Sequence, residues 1–222
     1  MAKPYLVICF RTIMNKKIIL PVLIIIVSAI VFFLIPENTS MPSSENLYQY
    51  GFTFYDVEKI NASLSEQNIF MSTPTPVTDH TIGNYCAIRD DILSRINYCT
   101  TTAIQDPDGR SLGNISMGGT PDNPIMAIAL VESSPFLDSK SNEIEIVFES
   151  MVKSLVCDCW DEKQPGGFES IATWINAAET KYAESSQTIP LKSTVTGLGN
   201  ETLILEITYK NDSYLWTLII LK

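Results

Sequence analysis

A chain of 222 residues with 25 acidic against 15 basic side chains and a single histidine is long enough for one ordinary domain or two small ones. Beyond Pro36 the imbalance is sharper, with all 25 acidic residues against 11 basic ones, a net charge of −14. Such a field disfavours nucleic acid and anionic lipid as partners and suits a soluble surface or a cationic partner.

Uncharged residues run without a break from Ile18 to Ile35. As a helix the run is about 27 Å long, close to the roughly 30 Å thickness of a bilayer's hydrocarbon. Lys16 and Lys17 precede it, Lys3 and Arg11 lie further out, and no basic residue recurs until Lys59. The positive-inside rule then holds the N-terminus in the cytoplasm and places the rest outside the cell membrane. A cleaved signal peptide is the competing reading. It needs a shorter apolar core and a small-x-small site, which "LIPENTSMPSS" lacks. Met14-Asn-Lys-Lys reads as the natural opening of such a segment, with 1–13 as an upstream extension. The expected organisation is a cytoplasmic tail (1–17), a transmembrane anchor (18–35), a polar linker (36–50) and an extracytoplasmic domain (51–222).

Within that domain Val57, Ile60 and Leu64 keep helical spacing over 55–66, and "STPTPVTDH" breaks the pattern. Tyr85, Ile88, Ile92, Ile96 and Cys99 predict a second helix over 83–98. Asp106-Pro-Asp108-Gly109 predicts a tight turn between two short strands, since it lacks the alternating ligands of a calcium loop. "IMAIALVES" reads as a buried strand. Ile144, Phe148, Met151, Leu155 and Cys159 share one face of a helix over 142–158, capped by Asn142 with Glu145. Another helix follows over 168–184, with Trp160 and Trp174 as core or rim. Three strands end the chain: "TIPLKSTVT", "ETLILEITYK" and "SYLWTLIILK". The last is apolar on both sides and therefore interior to its sheet. The expected fold class is α+β, antiparallel strands with helices packed on one face. No residue motif ties this layout to a known family.

Cys9 precedes the anchor, whereas Cys86, Cys99, Cys157 and Cys159 lie beyond it, where oxidation is favoured. One intervening residue disfavours pairing Cys157 with Cys159. A continuous helix would hold Cys86 and Cys99 about 20 Å apart. Two bonds between the 83–98 helix and the end of the 142–158 helix are therefore expected. The alternative is a thiolate site for zinc or cuprous copper, built from Cys157-Asp-Cys159 with Cys86, Cys99 or His80; paired C-x-x-C spacing is missing. His80 alone is most simply a loop residue.

Five N-x-S/T sequons lie beyond the run, at Asn38, Asn61, Asn114, Asn200 and Asn211, where thirteen asparagines would give about two by chance. Two or three are expected to carry glycan. Ser150-Met-Val-Lys153 matches the S-x-x-K string of serine acyl-transfer enzymes, but its companion strings are absent and a solvated helix face is the better reading. The sequence therefore points to a membrane-anchored binding or accessory protein, or a subunit of a larger membrane or envelope complex. Its expected partners are the membrane through 18–35 and a protein outside it. The alternatives are an extracytoplasmic hydrolase or transferase with a scattered site, or the metal-handling protein above.

Overall fold

Two runs of three strands, each rich in β-branched and aromatic residues, flank a helical middle, and together they build one antiparallel sheet. The computed structural model describes residues 51–78, 80–86 and 93–222, which belong to one compact unit, Gln49–Lys222. The run 18–35, the linker and Asn38 lie outside the described residues. Among the described residues no helix is long and apolar enough to cross a membrane.

A 3-10 turn, Phe54–Asp56, leads into α1 (Val57–Glu66). Two strand fragments, β1 (Phe70–Met71) and β2 (Thr75–Pro76), precede the short α2 (Ile82–Tyr85). A meander follows: β3 (Tyr98–Gln105), β4 (Ser111–Thr120) and β5 (Asn123–Ser133). Helices α3 (Ser141–Leu155), α4 (Trp160–Lys163) and α5 (Ile171–Ala183) come next. A second meander closes the chain: β6 (Leu191–Leu198), β7 (Glu201–Lys210) and β8 (Ser213–Leu221). The strand order is β1-β3-β4-β5-β8-β7-β6, with β2 also on β3. The two meanders meet where β5 pairs with β8, from Met126 opposite Leu221 to Ser133 opposite Tyr214. Both halves thus form a single sheet, and the fold is α+β.

Period-2 alternation divides the sheet into two faces. Ile115, Met117, Ala127, Ala129, Val131, Leu203, Leu205, Ile207, Trp216, Leu218 and Ile220 are buried in one core with the apolar stripes of α1, α3 and α5. On the opposite face, Met126, Ile128, Ile204 and Ile219 are covered by Ile82, Cys86, Ile96 and Cys99. That second cluster explains why β8 is apolar on both sides.

The 83–98 helix starts within one residue of expectation but is corrected towards its C-terminal end. α2 stops at Tyr85, Cys86 leaves helical geometry at φ −125°, and Tyr98 and Cys99 already belong to β3; residues 87–92 lie outside the described set. The Asn142 cap is also corrected. α3 begins at Ser141, Lys140 holds the cap position, and no side chain bonds there. The turns agree with expectation: Asp106 Oδ1 accepts from the Asp108 and Arg110 amides at 3.0 and 2.9 Å, and Asn211 and Asp212 turn β7 into β8 at φ +54° and +61°.

Candidate functional site

The cysteines pair locally. Cys86 bonds Cys99 across a Cα separation of 6.2 Å, and Cys157 bonds Cys159 across 5.2 Å. The expected bridges between distant helices are thus corrected. Because α2 ends before Cys86, the chain turns back and lays Cys99 beside it, on the strand position opposite Gly118. Both members of the first pair are fully buried. The second pair joins the end of α3 to the start of α4, and both of its cysteines are half-buried. Among the described residues no three His, Cys, Asp or Glu side chains converge as a metal cage requires. His80 is exposed.

Ser150 and Lys153 go separate ways. Ser150 is 4% exposed, and its hydroxyl meets that of Ser63 on α1 at 2.9 Å, which corrects its placement on a solvated face. Lys153 lies 2.7 Å from Glu149 and 3.8 Å from Asp158. The bond to Glu149, with the charges of Asp158 and Asp161, raises the lysine's pKa against a smaller effect of burial. It therefore stays an ammonium ion, unfit as a general base for Ser150. Around it a hollow of about 170 Å³ is lined by Glu145, Glu149, Asp158, Asp161, Trp160 and Cys157.

A larger groove lies at the sheet end where β3 begins. It encloses about 540 Å³ among Phe54, Tyr55, Tyr98, Pro74, Pro76 and Pro121, with Thr53, Thr100 and Asp122 as polar groups. A second hollow of about 250 Å³ shares Val57 and Pro74 with it and continues past Asn61, Met71 and Ser72. Local chemistry fixes each wall. The Asp56 carboxylate accepts from the Thr53 amide and hydroxyl at 2.6 and 2.9 Å, locking the 3-10 turn that presents Phe54 and Tyr55. Burial pushes the Asp56 pKa up, but bonds from Lys59 and Thr53 outweigh it and hold the carboxyl below its ordinary value. Phe54 meets Tyr98 edge-to-face at 5.1 Å. Tyr55 is 83% exposed. The sheet edge supplies part of the lining: there Thr75 and Pro76 pair with Thr101 and Thr100, and Ser72 exchanges two bonds with Ala103.

The groove has no contiguous signature in the sequence because it is assembled from four separate segments. Its only local signals are "FTFY" and "TPTP". Of the sequons, Asn61, Asn200 and Asn211 are exposed. Asn114 is half-buried in β4, its side-chain amide donating to Ser116 at 3.0 Å and to Thr101 at 3.4 Å. Compared with models of protein families, with curated proteins and with solved structures, the chain matches none.

Proposed function

We propose that this chain is a single-pass, membrane-anchored binding protein that takes an extended segment of a protein partner into the groove beside Phe54, Tyr55 and Tyr98. The observation that carries the reading is the lining itself: three aromatic residues and three prolines line one open channel. Aromatic-lined grooves of this kind suit extended or polyproline-like backbone, whose ordering entropy is already low. Pro74 and Pro76 have no amide hydrogen to offer, so the edge is blunted against simple strand addition and favours docking by side chains. Asp122 in the groove and Glu58 in the adjoining hollow, within a strongly acidic chain, favour a partner segment carrying Lys or Arg.

In this reading residues 18–35 span the cell membrane, 1–17 stay cytoplasmic, and the domain lies outside as an accessory protein or subunit of a membrane complex. Exposed Asn61, Asn200 and Asn211 would carry the glycans in a host that adds them.

Site-specific photocrosslinking tests the partner. A benzoyl-phenylalanine placed at Tyr55 in the full chain, illuminated in intact membranes, should give one defined adduct that Tyr98→Ala weakens. Adducts only with lipid, or an unselective smear of proteins, would reject the groove as the docking site. Recovery of the full chain in the soluble fraction without detergent would reject the anchor separately.

A further inference from the structure

We infer that Cys157–Cys159 is a thiol–disulfide exchange site that reacts fastest with thiols carrying a cationic group and slowest with those carrying a second anionic one. Three observations converge on it. Cys157 lines the hollow beside α3 and is only half-buried, whereas Cys86 and Cys99 are sealed in the second core. The hollow's charged lining is Glu145, Glu149, Asp158 and Asp161 against Lys153 alone, and Lys153 is engaged by Glu149. An incoming anion therefore meets a net negative field at the sulfur it must attack. The pair also spans a single intervening residue, so the cross-link gains only about half as much as Cys86–Cys99 from restricting the unfolded chain.

The step balances as ordinary exchange. A thiolate attacks the Cys157 sulfur and the bond to Cys159 breaks. Cys159 leaves as thiolate and takes a proton from water. A second thiol then attacks the outer sulfur of the mixed disulfide, which releases Cys157 and carries away the oxidised small disulfide. Two electrons pass from the two small thiols to the protein. Cys159 immediately precedes Trp160, which is stacked on Trp174 at 5.7 Å, so opening the pair changes the surroundings of this indole. Tryptophan emission therefore reports the reaction.

The test uses the oxidised full chain and three small thiols of matched size: cysteamine, 2-mercaptoethanol and 2-mercaptoethanesulfonate. Rates are compared at equal thiolate concentration, and alkylation with mass mapping identifies the cysteines released. Cys157 and Cys159 should appear first, with the cationic thiol about tenfold faster than the anionic one at low salt. That spread should collapse in 1 M salt, where the screening length is about 3 Å. Glu145→Gln with Asp161→Asn should narrow it in the same way while leaving the disulfide intact. Release of Cys86 and Cys99 at the same rate, a rate order indifferent to charge, or free Cys157 and Cys159 in the air-oxidised protein would each overturn the assignment. None of these outcomes depends on the groove or on the anchor.

Discussion

The Lys222 ammonium donates to the Phe52 carbonyl and sits 4.6 Å from the centre of the Phe52 ring, so the residue after the last strand clasps the first turn of the domain. It also donates to Asn123 at 2.9 Å, and its own amide bonds the Ile125 carbonyl. Burial lowers the lysine's pKa, against the opposing charges of Glu201 and Asp56. This clasp fixes the backbone immediately before Thr53 and therefore the pose of Phe54 in the groove. Lys222→Ala should cost about 1 kcal/mol in a urea titration, the loss of partly exposed charge-assisted bonds. It should also weaken crosslinking from Tyr55.

The two disulfides should differ in what they stabilise. Replacing Cys86 and Cys99 by Ala opens a loop of sequence separation 13, worth about 3 kcal/mol in the chain-entropy model. Replacing Cys157 and Cys159 opens a minimal ring, worth roughly half of that. Calorimetry on the two double variants should reproduce this order. Equal losses would mean that the Cys86–Cys99 bond does not hold the second core on the sheet.

Acid should destabilise the domain through Asp56 and Asp106. At Asp106 burial pushes the pKa up, but the Arg110 amide, its guanidinium at 2.7 Å and the Asp108 amide outweigh it. Both carboxyls therefore have folded pKa values below the unfolded value of 3.8. The stability they contribute is complete above that value and is lost as pH falls through the lower folded ones. Asp106→Asn should lower Tm at pH 7, and the gap to the wild type should close towards pH 2. A gap independent of pH would assign the effect to turn geometry rather than to charge.

Ser150 serves packing between α1 and α3. Ser150→Ala should cost about 1 kcal/mol, Ser63→Ala a similar amount, and the double variant less than their sum, because both remove the same 2.9 Å bond. Additive losses in this cycle would show that the two hydroxyls do not interact.

The elements legible in the sequence are those whose period is unbroken. Leu203, Leu205 and Ile207 alternate with Ile204 and Glu206, and Asn211-Asp212 marks the turn, so β7 and β8 fall where the pattern puts them. The 83–98 segment misleads because Ile88, Ile92 and Ile96 keep helical spacing up to Cys99, which the sheet claims. The cysteine pairing follows from that single boundary: once the helix ends at Tyr85, the two sulfurs of Cys86 and Cys99 come together. Ser150 misleads for a different reason. Helical periodicity shows which face is apolar, but not that α1 covers a polar stripe as well. The groove depends on which loops the β3 edge gathers, and that is set by strand order rather than by any local pattern.

The sequons divide by what the fold does with each asparagine. Asn61 projects from α1, and Asn200 and Asn211 sit in the turns on either side of β7, all with room for a glycan. Asn114 instead spends its side-chain amide on Ser116 and Thr101 within the sheet. Modification there would remove a donor hydrogen and force sugar onto the strand surface. Enzymatic deglycosylation in heavy-oxygen water should therefore label Asn61, Asn200 and Asn211 and leave Asn114 unlabelled. The Asn61 sugar would border the hollow it lines with Met71 and Ser72, so Asn61→Gln should speed association with the groove's partner. Full occupancy at Asn114 would contradict the β4 register, and a chain without sugar in a glycosylating host would count against an exterior domain.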